Sequence, residues 1–138
     1  MTGLLAASDL SVRYETPHGA VHALRHVDIE AHPGEVIGIV GESGCGKSTL
    51  VTALANLLPA NARIDGSIRY NGVDLAKLDA HRQRLLRGDE IALVSQDPMT
   101  ALNPVLTIGD QIADFQHHRK DLSRAQKRAR IAAMLGRV

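Results

Sequence analysis

The sequence predicts an α/β fold with an antiparallel β portion at its N-terminus, and three stretches carry that prediction. Residues 10–14 (LSVRY) and 20–31 (AVHALRHVDIEA) largely alternate apolar and polar side chains, the period of a half-buried strand. Residues 35–40 (EVIGIV) are almost continuously apolar, which suits a strand covered on both faces in a parallel sheet. Residues 41–50 (GESGCGKSTL) then form a glycine-rich loop leading into apolar positions at helical spacing.

In chain order, Pro17 and Gly19 mark a turn that folds the first two strands into an antiparallel hairpin. The apolar run 35–40 ends at the glycine loop. From Ser48 to Leu58, the spacing of Leu50, Ala53, Leu54, Leu57 and Leu58 predicts a helix, which Pro59 stops. Residues 66–75 (GSIRYNGVDL) predict a small hairpin turning at Asn71-Gly72, the pair favoured where both turn residues need positive φ. Residues 77–88 predict a helix and 90–96 (EIALVSQ) a strand. Pro98 and Pro104 make a loop. Residues 107–118 predict a helix with Ile108, Ile112 and Phe115 inward, and Ser123 with Gln126 predicts a capping box that starts a last helix.

Composition limits the function. With 138 residues and 44% apolar content, the chain suits one globular domain or a piece of a larger one, rather than disorder. Sixteen Lys and Arg against 15 Asp and Glu leave a net charge of +1, too balanced for the whole surface to be a nucleic-acid or lipid footprint. Cys45 is the only cysteine, so no internal disulfide forms, and a reducing cytosol fits that usage. The start lacks a basic and apolar leader, and no apolar run approaches the ~18 residues of a membrane helix, which predicts a soluble or peripheral chain.

The chemistry concentrates in Gly41–Ser48, which fits the phosphate-binding pattern G-x-x-x-x-G-K-S and places the chain among the P-loop NTPases. Small residues at Gly41, Gly44 and Gly46 let successive backbone N–H groups, including those of Glu42, Ser43 and Cys45, turn toward an anion. The following helix adds its positive end and free N–H donors. Lys47 is placed to bridge β- and γ-phosphates, Ser48 to ligate Mg²⁺, and Thr49 to reach a further phosphate oxygen of ATP. The alternative, a glycine turn beside a solvated lysine, leaves the buried strand before the loop and the helix after it unexplained. Cys45 occupies a variable position as a small tolerated side chain, and its place near a helix N-terminus predicts that alkylating it blocks nucleotide.

Residues 33–50 (PGEVIGIVGESGCGKSTL) and 95–112 (SQDPMTALNPVLTIGDQI) together resemble the ATP-binding subunits of ABC transporters, more narrowly those of dipeptide and oligopeptide importers. The likeness covers nearly the whole chain. It implies an ABC ATPase with a RecA-like core and an N-terminal antiparallel β subdomain, here C-terminally truncated. Residues 1–34 would be the β-hairpin, 35–96 the P-loop core, and 97–138 the Q-loop and the start of a helical subdomain. By this resemblance Gln96 senses the γ-phosphate and Mg²⁺, and Tyr14 stacks on adenine, an interaction that needs only a flat ring face. The implied partners are a second ATP-binding subunit, integral membrane permease subunits and, indirectly, a solute-binding protein, with no nucleic acid. The implied location is peripheral, on the cytoplasmic face of the cell membrane.

The departures from the family pattern matter equally. A signature segment of the Leu-Ser-Gly-Gly-Gln kind needs a Gly-Gly pair, and the sequence contains none. A second apolar strand ending in Asp-Glu is also absent: residues 91–95 lead to Gln96, and Asp89-Glu90 precede them. No later histidine stands in a switch context. The parent protein is therefore expected to hydrolyse ATP, while residues 1–138 bind it without the hydrolytic glutamate. If the family's parallel sheet applies, the neighbours of 35–40 lie outside these residues, and the chain is expected to expose apolar edges and aggregate.

Two other features point elsewhere. His18, His22 and His26 recur every four residues on one strand face, but without a carboxylate or cysteine beside them in sequence they read as solvated or partner-facing. The basic tail from Arg119 to Arg137 has no interleaved aromatics and reads as a solvated helix face or a partner surface. Two rival functions remain: a nucleotide-binding module without turnover, and a small P-loop kinase, which would need an acceptor site and lid arginines.

Overall fold

The computed structural model describes residues 3–97, 102–116 and 121–137, arranged in two compact units, Met1–Leu93 and Val94–Val138. The first unit is built on a sheet of β1 (Leu5–Thr16), β2 (Gly19–Ala31), β3 (Ala62–Tyr70) and β4 (Val73–Asp74) in the order β2-β1-β3-β4, all antiparallel. The expected hairpin is β1 with β2, and its turn is closed by the Thr16 hydroxyl donating to the Gly19 carbonyl at 2.6 Å. Central β1 sends Ala7, Leu10 and Val12 into the core, where they meet Leu24 of β2 and Ile68 of β3. Leu50 and Ala53 of α1 (Lys47–Leu54) join them, with Leu75 and with Leu86 of α2 (Ala80–Asp89). Each fully buried Leu or Val contributes roughly 1.5–3 kcal/mol by leaving water. That cluster fixes α1 against the sheet, and with it the glycine loop.

β1 departs from regular pairing on both sides around Asp9, and twice more toward β2, between Leu10 and Val12 and between Val12 and Arg13. The register shifts between Ala7 and Leu10 toward β2, and between Ser8 and Ser11 toward β3. Asp9 takes φ 51 and His26 φ 49. The Asp9 N–H donates to Asp28 Oδ1 at 2.8 Å, and His26 Nδ1 lies 2.7 Å from Asp9 Oδ1. On the other side stands Gly66, at φ +94, where an added Cβ would fall 2.4 Å from the Asp9 carbonyl oxygen. The bulge needs a glycine there. His22 and His26 border the same exposed cleft, whereas His18 lies in the turn rather than on the strand.

The Asn71-Gly72 hairpin forms as the sequence implies, with φ 48 and 78. A 3₁₀ turn (Leu75–Lys77) follows, capped by Asp74, and α2 is capped by the Asp79 side chain on the Arg82 N–H at 2.8 Å. The helix α1 ends at Leu54, short of the predicted Leu58. Asn56 takes φ 55, its N–H bonds to the Ala53 carbonyl, and the Leu57 N–H reaches back to the Thr52 carbonyl. This left-handed termination satisfies the last carbonyls before Pro59 can act.

The two strands expected at 35–40 and 90–96 do not form among the described residues. Both stretches are unpaired, and Val36, Val40 and Val94 are 96%, 96% and 92% exposed. A strand is a paired object: apolar content cannot create one without a neighbouring ladder.

In the second unit, α3 (Ile108–Phe115) and α4 (Arg124–Leu135) form a helical pair. Thr107 caps α3 through the Asp110 N–H, and Ser123 with Gln126 makes the expected capping box of α4. The inward face of α3 differs from expectation, since Phe115 is 78% exposed and Ile108 is also exposed. Ile112 is half-buried, and Gly109 and Ala113, one turn apart, line a groove shared with Ile131. Lys127 Nζ donates to the Gln116 carbonyl at the end of α3 at 2.8 Å. Pro98 and residues 117–120, which carried parts of the loop and helix expectations, lie outside the described residues.

Two outcomes follow from this packing. Gly66→Ala should lower stability by about 2–4 kcal/mol, and Gly72→Ala, whose Cβ position is open, by only about 1–2 kcal/mol; urea unfolding compares the two. Tyr70 is the second. Burial raises its phenol above the ordinary 10.0, and the Glu90 carboxylate adds to this by accepting its hydrogen bond and repelling the phenolate. With the folded value raised, this contribution to stability is complete below pH 10.0 and is lost as pH climbs through the folded value. Phenolate absorbance in a Tyr14→Phe chain should show late ionisation of Tyr70, and Glu90→Gln should bring it earlier.

Candidate functional site

The glycine loop begins at Gly41 and ends where Gly46 caps α1. Gly44 and Gly46 take φ 83 and 97, a region that L side chains avoid. Gly46 is required twice over, since a Cβ there would meet the Ala23 carbonyl oxygen at 2.5 Å and Leu24 Cδ2 at 2.9 Å. The loop therefore rests directly on β2. At Gly41 a Cβ would lie 2.7 Å from Cys45 Sγ, a side-chain end that rotation of Cys45 can move aside. Sequence reading missed the support from Ala23 and Leu24, because nothing local ties residue 23 to residue 46.

The start of α1 leaves its donors open. Gly46 offers no side-chain cap, and the first turn carries no acidic residue. Among the described residues, the backbone N–H groups of Gly46, Lys47, Ser48 and Thr49 have no acceptor, and the Ser48 hydroxyl has no hydrogen-bond partner. Unpaired amides and the positive end of the helix converge on one spot, the arrangement that attracts an anion.

Lys47 adds a full charge to that spot. Its Nζ donates to the carbonyls of Gly41 at 2.7 Å and Glu42 at 2.6 Å, and lies 3.6 Å from Cys45 Sγ. The ammonium donors thus brace the loop, and the contact to the Cys45 sulfur is the weakest of the three and the one an outside oxygen would displace. Glu42, Ser43 and Gly44 are exposed along the loop, as is Cys45. The open amides at the start of α1 and the Lys47 ammonium are donors, which suits the acceptor oxygens of a triphosphate. A hard cation such as Mg²⁺ fits the free Ser48 hydroxyl at the same edge.

Tyr14, on β1, also reaches this site. Its ring packs on the core cluster, and its hydroxyl lies 3.4 Å from Thr49 Oγ1 in the first turn of α1. Of the predicted residues, Tyr14 and Gly41 through Thr49 are therefore brought together in the first unit. Gln96 belongs to the second, on an exposed bend next to the Ser95 hydroxyl, which bonds to the Asp97 carbonyl at 3.1 Å. Among the described residues no helix is long and apolar enough to cross a membrane.

Residues 24–138 match the ABC transporter family. The chain is 41% identical over 135 residues to the oligopeptide transport ATP-binding protein OppD of Escherichia coli strain K12, covering 98% of this chain and 40% of that protein. It is 40% identical over 140 residues to the dipeptide transport ATP-binding protein DppD of Bacillus subtilis strain 168, covering 100% of this chain and 42% of that one. The chain thus spans about two-fifths of the length of these relatives. In fold it is similar to the ATP-binding cassette MJ0796, solved as a dimer in a post-hydrolysis state bound to ADP and Pi, with a TM-score of 0.80 at 24% identity over 96% of this chain and 56% of that one.

Cys45 makes the cradle measurable, being the chain's only cysteine and exposed within it. Inorganic tripolyphosphate in the loop should slow alkylation of Cys45 several-fold, and Lys47→Ala should abolish the protection. Labelling rates followed by mass spectrometry decide this.

Proposed function

The chain belongs to the ABC transporter family, and from that premise we propose that its loop and helix bind Mg-ATP within an importer's ATP-binding subunit. In this reading the loop amides from Glu42 to Gly46, the first-turn amides of α1 and the Lys47 ammonium hold the phosphates. Thr49 takes a further phosphate oxygen. Tyr14 receives the adenine, and Ser48 ligates the metal. The magnesium ion, once bound, offsets phosphate charge. The observation that carries the reading is the set of open N–H donors at the start of α1, beside an ammonium whose weakest contact, to the Cys45 sulfur, is the one a phosphate oxygen would replace.

The whole protein would couple ATP binding and hydrolysis to uptake of peptides or related solutes, as the names of its relatives suggest. Its partners would be a second ATP-binding subunit and membrane permease subunits, with a solute-binding protein acting indirectly, at the cytoplasmic face of the membrane. One observation favours a second reading for residues 1–138 taken alone, binding without turnover: they contain no Gly-Gly pair and no apolar strand ending in Asp-Glu. Phosphoryl transfer needs an oriented water and charge stabilisation in the transition state, which tight phosphate binding does not provide.

Calorimetric titration with Mg-ATP, run alongside a phosphate-release assay, tests both. Saturable binding is expected, weakened at least tenfold by Lys47→Ala, with phosphate release at background for these 138 residues. Absence of binding, or binding indifferent to Lys47→Ala, would sink the proposal, and sustained phosphate release would sink the second reading.

A further inference from the structure

Stacking on a base asks only for a flat ring, and a phenylalanine would serve as well as a tyrosine. The Tyr14 hydroxyl is therefore surplus to stacking, yet it lies 3.4 Å from Thr49 Oγ1, across 35 residues of sequence. We infer that the Tyr14 hydroxyl is a positioning group: by donating to Thr49 it ties the base-binding ring to the phosphate cradle and sets their separation. The inference rests on the nucleotide-binding reading above.

Three features support it. The backbone of Tyr14 is held on both sides, opposite Val21 of β2 and Ala62 of β3. Just beyond it, the Glu15 N–H donates to the Asn61 carbonyl at 2.9 Å and Asn61 Nδ2 returns a bond to the Glu15 carbonyl at 3.1 Å. The strand is thus pinned, and only the side-chain torsions of Tyr14 remain to be fixed. Second, the neighbours are asymmetric. Residues opposite one another across a ladder point to the same side of the sheet, so Tyr14 is flanked by a valine on one side and only a methyl group on the other. Third, the hydroxyl chemistry is compatible. Thr49 accepts from Tyr14 with a lone pair and keeps its own proton to donate to a phosphate oxygen, so the two contacts do not compete.

At 3.4 Å the bond is long for a hydroxyl pair, which places its effect at the modest end of neutral hydrogen bonds. Calorimetric titrations of the full chain with Mg-ATP and with inorganic tripolyphosphate, for wild type, Tyr14→Ala, Tyr14→Phe, Thr49→Val and the Tyr14→Phe/Thr49→Val pair, test the tether. Tyr14→Phe should weaken ATP roughly two- to fivefold and leave tripolyphosphate unchanged, because only ATP carries a base. In the Thr49→Val background, Tyr14→Phe should have no further effect on ATP. Independent, multiplicative effects of the two changes would overturn the tether, as would a Tyr14→Phe chain equal to wild type while Tyr14→Ala is weakened. Failure of the parent reading has a different signature: wild type binding neither ligand removes the phosphate site, and an inert Tyr14→Ala removes the base site.

Discussion

The first turn of α1 is the constraint on which the rest depends. A helix begins with N–H groups that have no partner within it, and proteins usually satisfy some of them with a capping side chain. Here the cap is Gly46, which has none to give. The other helices show the contrast: α2, α3 and α4 start at Asp79, Thr107 and Ser123, and each of these side chains accepts a backbone N–H. Among the described α-helices, one forgoes about 1 kcal/mol of capping and keeps its donors open, and that helix follows the glycine loop.

Open donors matter only if their direction is fixed, and the antiparallel sheet does the fixing. Leu50 and Ala53 anchor α1 in the cluster that Leu10, Val12 and Leu24 build beneath it. Gly46 lies on the Ala23 carbonyl and Leu24, so β2 sets the height of the loop, and β1 brings Tyr14 to the same edge. The sheet is thus more than an appendage to the loop. It is the surface from which the phosphate cradle and the aromatic ring take their common frame.

How much of this could be read from the sequence follows the range of the forces involved. The Asn71-Gly72 turn, the Ser123 capping box and the glycine loop are local: each is decided within a few residues, so spacing and residue type suffice. The strands expected at 35–40 and 90–96 are not local. Their apolar content suits burial, but strand pairing requires a second segment, and Val36, Val40 and Val94 stand exposed without one. Helix α1 ended early because Asn56 could adopt the left-handed conformation, a tolerance that Pro59 obscured. On α3 the largest side chains drew the expectation, although Phe115 and Ile108 are exposed and only Ile112 of the three is half-buried. The meeting of Tyr14 with Thr49 carries no periodic mark at all, because only the tertiary packing of β1 against α1 brings them near.

Holding a triphosphate and cleaving it make different physical demands, and the open donors of the first unit are of the kind that serve only the holding. Amides, a helix terminus and an ammonium act on charge that the nucleotide already carries in its ground state. An attraction felt equally before and during bond breaking lowers the free energy of the bound state without lowering the barrier above it. Acceleration needs groups that gain strength as the reaction proceeds: a base aligned with the attacking water, and charge placed where new charge appears. The bracing of Lys47 by its own loop sharpens the distinction. With two donors held by the Gly41 and Glu42 carbonyls, the ammonium is fixed in place before any phosphate arrives. This preorganisation strengthens capture, whereas the timing of cleavage falls to whatever supplies the water and the second layer of charge.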